Sequence, residues 1–421
     1  MLCFLILIYL MEETRDRDSD FLVPQHSHKA SSEEIPKRLK YMLVFFGMSA
    51  LLPNAAILTD MDYFIARLPN HHPEFVYYMT LNFAMVIGQT AGVRLLMRFD
   101  YLPKFIGLLI PQILLMIAFP LFMGYTGEET AWTVSNILVV LIGIVMGTMT
   151  CFLGAIAGVL GPSFVGPLMQ GFQLSFVLVA LVRLICLLVF NSQDTQAYLD
   201  STILYFSLNV AILILMMILV PVFFGHDIIK RALFSKVRAN LNSVGSEKDV
   251  HTVKPCETFE KISFEAYIIF LTFMTTFLIY PSIVFQKQQD IISNRSDWSI
   301  FILNVVVSIA DLLGRNIASR KPHYQRTFLG TGCFLRLTLV CTTLLIGLSS
   351  SPFWNNIFVV LINAGAIGLT NGFFATAACN SIPGRLEEHE KEFGGFVMSV
   401  VLNTGIGFGQ LVSLISFQRL F

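Results

Sequence analysis

The chain has 421 residues, of which 55% are hydrophobic and only 13% charged, against about 25% charged in an ordinary soluble domain. Its mean hydropathy of +0.69 reads as an all-α integral membrane protein and excludes a soluble enzyme. Lysine plus arginine and aspartate plus glutamate stand at 28 each, so net charge gives no reason to expect polymeric nucleic acid as a partner.

In chain order, the first ten residues, MLCFLILIYL, are too short to span a bilayer and lack the basic start and cleavage site of a signal peptide. Translation is expected to start at Met11, with residues 1–40 forming a cytoplasmic tail. A hydrocarbon core roughly 30 Å thick takes about 20 helical residues to cross, and eleven apolar runs of suitable length follow: 41–59, 75–93, 105–125, 134–159, 163–190, 203–224, 264–285, 298–318, 328–348, 354–381 and 393–417. Only Leu160-Gly161-Pro162-Ser163 separates the fourth from the fifth, and the Gly-Pro pair is the reason to divide them.

The basic residues orient this array. With the amino terminus inside, the cytoplasmic side holds Lys37, Arg38, Lys40, Arg98, Lys104, the seven basic residues from Lys230 to Lys261, Arg320, Lys321, Arg326, Arg385 and Lys391. The opposite side holds Arg67, Lys287, Arg295 and Arg419, and also the sequon at Asn294, an expected glycosylation site. An odd number of spans then puts the carboxyl terminus outside, most simply at the plasma membrane, with an endolysosomal membrane as the second location.

One long polar stretch, 225–262, divides the spans into 41–224 (six) and 263–421 (five), as expected of a two-bundle carrier with a cytoplasmic linker, functional as a monomer. No sequence repeat relates the two parts. The acidic run from Arg385 to Glu392 reads as a hydrated turn. Five of the cysteines lie in apolar runs and none has metal-ligand spacing, so neither a metal nor another cofactor is expected.

Charges inside the runs bear most directly on function. Asp311 and Arg315, four apart, share a helix face with Ser308 and can neutralise each other. Each alone costs roughly 2.5–3.5 kcal/mol at the centre of a lipid-facing helix, so both should face protein or a watery cavity. They are a solute site or, alternatively, an ion pair that locks two helices. Arg94, Arg183 and Arg336 stand alone in their runs and read as structural. The pairs Gly143/Gly147 and Gly154/Gly158 permit close helix contact, while Pro162, Pro167 and Gly171 weaken the helices where a carrier must rock. No Walker loop, H-E-x-x-H or G-x-S-x-G is present, which leaves a carrier of small polar solutes ahead of a channel or an intramembrane enzyme.

Several of these stretches resemble the equilibrative nucleoside transporters, over nearly the whole chain after Lys37. DLLGR, from Asp311 to Arg315, looks like the family's eighth-span Asp-x-x-Gly-Arg, and GLTNGFFAT, from Gly368 to Thr376, looks like its tenth-span Asn-Gly motif. Phe45-Phe46, Leu51-Leu52-Pro53 and Tyr63-Phe64 resemble its first span, and GPSFVGPLMQG resembles its fifth. The resemblance implies a major-facilitator-like fold with one span fewer, and facilitated, alternating-access movement of nucleosides or nucleobases. It also implies that Asp311 and Arg315 meet the ribose hydroxyls, with Leu58, Asn54, Thr150, Ser308 and Asn371 completing the site. Two positions depart from the family: Asn54 follows Pro53 where a tryptophan is common, and Thr150 aligns with a base-contacting glutamine. A proton-coupled carrier, or one for another polar metabolite or an organic cation, remains the alternative.

Overall fold

The computed structural model describes residues 37–96, 101–190, 195–227, 229–230, 255–280, 296–321, 324–349, 351–354, 356–387 and 390–417. The amino-terminal tail before residue 37, most of the central linker and Asn294 lie outside these residues, as does the side chain of Arg94. Among the described residues there is no strand. The helices are α1 (Lys37–Thr59), α2 (Met61–Arg67), α3 (Pro73–Leu96), α4 (Tyr101–Tyr125), α5 (Glu128–Leu160), α6 (Pro162–Val189), α7 (Thr195–Gly225), α8 (Pro255–Ile279), α9 (Ser296–Ala318), α10 (Arg326–Leu335), α11 (Leu337–Leu348), α12 (Ile357–Ser381) and α13 (Lys391–Phe417).

Ten of these elements, with α10 and α11 taken together, are long and apolar enough to cross a membrane. The run expected at 75–93 is helical as α3 but stands outside the ten, its apolar length diluted by Asn82, Gln89 and Thr90. The Gly-Pro pair does divide the fourth and fifth runs. Gly161 takes φ +98°, which a residue with a Cβ rarely adopts, and Pro162 opens α6, where its missing N–H is not needed. The ninth run is interrupted at Arg336, which ends α10 and precedes α11.

An internal repeat that the sequence hides is visible in the packing. In the first half, α1 lies on α6 and α3 on α5; in the second, α8 lies on α13 and α9 on α12. All four seams are set by glycine against backbone. Added Cβ atoms at Gly88 and Gly147 would strike the carbonyls of Ile144 and Met85 between α3 and α5, and at Gly314 and Gly368 those of Leu369 and Val307 between α9 and α12. Gly171 meets the Val44 carbonyl on α1, as Gly405 and Gly409 meet those of Phe270 and Met274 on α8. The halves join where α13 crosses α5 and α3, and where α9 crosses α6.

Two of the arginines that stand alone in their runs have partners from elsewhere. Arg183 of α6 is 1% exposed and contacts Asp60, at the turn between α1 and α2, at 2.7 Å and Asp62, in the first turn of α2, at 2.6 Å. Tyr198 of α7 donates to the same Asp62 oxygen. Arg336 finds neutral acceptors, donating to Thr272 O at 2.9 Å, Thr276 Oγ1 at 2.6 Å and Thr370 Oγ1 at 3.0 Å, which ties the α10–α11 break to α8 and α12.

The acidic turn is less hydrated than its composition suggests. Glu390 is buried and accepts from Lys261 at 2.7 Å and Thr258 at 2.9 Å, both on α8. Its burial pushes the carboxyl pKa up, but the hydrogen bonds from Lys261, the Glu387 backbone N–H and Thr258 outweigh this and hold it below the usual carboxylate value. Beside it, the buried Glu265 receives Arg326 at 3.1 Å and Arg385 at 2.7 Å.

Candidate functional site

Between the halves lies a cavity walled by α1, α3, α6, α8, α9, α12 and α13. Its most polar wall is formed by α9. Most of that helix is aliphatic, but Asp311 and Arg315 share the face turned inward with Ser308, each of the two charged groups about 5% exposed. Arg315 Nε donates to Asp311 Oδ1 at 2.5 Å, and its Nη1 donates to the Met169 carbonyl of α6 at 3.1 Å, so the guanidinium also touches the opposite half.

The other carboxylate oxygen is held equally firmly. Asn371 Nδ2 of α12 donates to Asp311 Oδ2 at 2.6 Å, and Asn371 Oδ1 accepts from Thr276 Oγ1 of α8 at 2.8 Å. Thr276 in turn accepts from Arg336. A chain of side chains from α11's start to α6 therefore fixes the carboxylate before any solute arrives, and every charge in it has a partner. The close α9–α12 approach makes this possible: a Cβ at Gly372 would overlap the Asp311 backbone and lie 2.7 Å from its Oδ1.

Six of the seven expected solute-contacting residues line this one cavity: Asn54, Leu58, Ser308, Asp311, Arg315 and Asn371. Thr150 is not among the lining residues. It sits buried where α5 meets α3 and α13, accepting from Gln89 Nε2 at 3.2 Å, while the same Gln89 nitrogen donates to the Ser399 carbonyl at 3.1 Å. A glutamine is thus present beside position 150, but it comes from α3 and spans the two halves. Among the gating candidates, Gly154 and Gly158 face Gly395 and Lys391 of α13, Gly171 faces α1, and Pro162 and Pro167 lie in the first turns of α6.

The residue-by-residue reading missed Gln173, Thr276, Tyr280 and Asn403 in the lining. Gln173 donates to the Ser308 carbonyl at 3.3 Å. Their signal was available, since each is a polar or amphipathic group inside an apolar run, but nothing in the sequence distinguishes an inward face from a helix-helix contact.

The halves touch on both sides of the cavity. At one end Asn304 of α9 donates to Thr59 of α1 at 3.1 Å while accepting from Tyr280, and Tyr78 stacks on Phe277 with ring centroids 5.6 Å apart. At the other, a Cβ on Gly154 would lie 2.8 Å from the Gly395 carbonyl, and one on Gly166 would lie 2.9 Å from Ser319 Oγ. Contacts at both ends fit a solute cavity that opens by parting one set at a time.

Comparison with solved structures gives the fold. The proton:xylose symporter XylE bound to 6-bromo-6-deoxy-D-glucose, of the major facilitator superfamily, aligns with TM-score 0.59 and 11% identity over 90% of this chain and 88% of that one. The major facilitator transporter FucP in the outward conformation aligns with TM-score 0.54 and 14% identity over 92% and 97%. Among curated proteins, Equilibrative nucleotide transporter 8 of Arabidopsis thaliana is 23% identical over 381 residues, 89% of this chain and 94% of the relative. Equilibrative nucleotide transporter 1 of the same plant is 23% identical over 411 residues, 92% and 88% of the two chains. The family model described as Nucleoside transporter matches residues 136–418, the larger part of the chain and the stretch that carries Asp311, Arg315 and Asn371. The chain belongs to the nucleoside transporter family and is a multi-pass membrane transporter, not an enzyme.

Proposed function

We propose that this transporter carries neutral ribonucleosides down their gradient by alternating access, with Asp311 and Arg315 gripping the ribose hydroxyls. The observation that carries this reading is the cavity-facing carboxylate, fixed by Arg315 at 2.5 Å and Asn371 at 2.6 Å. A carboxylate accepts from two vicinal hydroxyls, and a guanidinium donates to their oxygens. Because the pair's charges cancel and each already has a partner, the empty site is tolerable inside the membrane. The described lining residues offer a single guanidinium, already bonded to a carboxylate, which favours a neutral nucleoside over a phosphorylated one.

In this reading α3 is an eleventh span, the amino terminus is cytoplasmic, and the contacts of Thr59 and Tyr78 form the outer gate while those of Gly154 and Gly166 form the inner one. The protein acts as a monomer at the plasma membrane, and free nucleobases bind less well because they lack the sugar. Uptake of labelled adenosine, uridine and hypoxanthine in cells without their own carriers tests this, with and without a pH gradient. Saturable, gradient-independent entry of the two ribonucleosides is expected, whereas saturable entry of none of the three removes the nucleoside reading.

A further inference from the structure

Away from Asp311 and Arg315 the cavity wall is largely apolar, with Leu58, Phe273 and Ile406 among its members. Two carboxamides interrupt it, Asn54 from α1 in the first half and Asn403 from α13 in the second. The other amides of the site are occupied: Asn371 serves Asp311 and Thr276, and Gln173 serves the Ser308 carbonyl. Asn54 and Asn403 differ. Asn54 is 4% exposed; its amide nitrogen faces the Tyr78 hydroxyl, while its Oδ1 is buried without a hydrogen-bond partner. Asn403 is 3% exposed, and among the described residues its side chain bonds no protein group.

Leaving the buried Asn54 Oδ1 unpaired costs about 1–3 kcal/mol, which a donor on a bound solute would relieve, while Asn403 offers its amide to the same cavity. A carboxamide offers one acceptor and two donors, the complement of the edge of a nucleobase. A flat surface lies in the same cavity: the Tyr78 and Phe277 rings are stacked at 21° to each other, one from each half.

We propose that Asn54 and Asn403 read the edge of the base, one carboxamide from each half, and that Asn403 is thereby a specificity-determining residue for nucleosides whose base carries an exocyclic amine or carbonyl. This rests on the nucleoside reading above. Because the two amides belong to different halves, both hold the base only when the halves are together, so base recognition is tied to closure around the solute.

Competition for labelled adenosine entry tests it, using unlabelled adenosine, purine riboside and 2′-deoxyadenosine. Purine riboside keeps the ring and the ribose but lacks the 6-amino donor. Wild type should favour adenosine over purine riboside by about fivefold, the worth of one neutral hydrogen bond. In Asn403→Leu and Asn54→Leu that preference should fall below about twofold, while the preference of adenosine over 2′-deoxyadenosine stays as in wild type. A wild type that does not distinguish adenosine from purine riboside, or an Asn403→Leu protein that keeps the wild-type ratio, overturns the proposal and leaves the nucleoside reading standing. Absence of saturable adenosine entry in wild type sinks the nucleoside reading first. Should the leucine variants fail to reach the membrane, Asn403→Ser is measured in the same way, and an unchanged ratio there overturns the proposal equally.

Discussion

The two halves of the molecule use the same seams but treat their buried charges in opposite ways. The first half folds Asp60 and Asp62 onto Arg183 away from the cavity, with the guanidinium and Asp60 fully enclosed. The second half turns Asp311 and Arg315 into the cavity. A buried ion pair is weak evidence for stability in itself, since desolvation consumes much of its Coulomb energy. What separates the two clusters is the open side. The first joins three elements, α6, α7 and the α1–α2 turn, and has no face on the cavity; the second leaves its carboxylate and guanidinium where a solute can compete for them. The same chemistry is enclosed in one half and faces the cavity in the other, where the proposed reading gives it the solute.

The largest effect should come from breaking the enclosed cluster. Arg183→Met leaves two carboxylates facing each other without a cation, a loss of about 3–5 kcal/mol for a buried pair broken on one side. The expected outcome is little folded protein at the membrane, read by surface labelling and by thermal unfolding of detergent-solubilised protein. Normal abundance would show that the first half's charges are not structural. Asp311→Asn keeps the shape of the site and should leave abundance near wild type while lowering nucleoside uptake by about 10–100-fold, as for loss of a charge-assisted hydrogen bond worth about 1.5–3 kcal/mol. If abundance falls instead, the two clusters are alike and the comparison fails.

A smaller effect is expected at the crossing between the halves. Gly395→Ala drives a Cβ into the Gly154 carbonyl, an overpacking cost of about 1–3 kcal/mol borne by only one of the carrier's conformations. Uptake should drop severalfold with solubilised stability nearly unchanged, and cysteine accessibility near Ser399 should rise. The smallest effect belongs to Glu390, whose partner Lys261 is well exposed and therefore screened. Glu390→Gln should cost about 1 kcal/mol or less near neutral pH. Because the carboxyl titrates below its usual range when folded, the stabilisation is complete above the unfolded value and fades as pH falls through the folded one. The difference in melting between wild type and Glu390→Gln should therefore vanish in acid; a difference that grows in acid would contradict the assignment.

How far the sequence revealed this depended on how far apart partners lie along the chain. Asp311 and Arg315 share a helix face four residues apart, and the resemblance of GLTNGFFAT supplied Asn371, so the charged wall was legible. Arg183 looked solitary because its carboxylates are 121 residues or more away, at a turn whose contacts no periodicity encodes. Thr150 was placed by alignment with a family glutamine, which speaks for chain position, whereas Gln89 reaches the same place from α3. The repeat between the halves left no sequence signal because its seams need only a small residue against a carbonyl, a requirement met by a few glycines amid freely varying neighbours.

Where Gly154 and Gly158 meet Gly395 and Lys391, bare peptide groups of α5 and α13 lie directly against each other. Ser399 is the side chain seated against Gly154, its hydroxyl donating to the Thr150 carbonyl, so at the glycines themselves separation withdraws little more than a small hydroxyl. The two faces can slide or peel apart by small steps and meet again in register, in the manner of a bearing more than a lock. Any bulk added there acts as grit, and a carrier that must cycle many times per second would register the friction as a slowed turnover well before it registered a loss of fold.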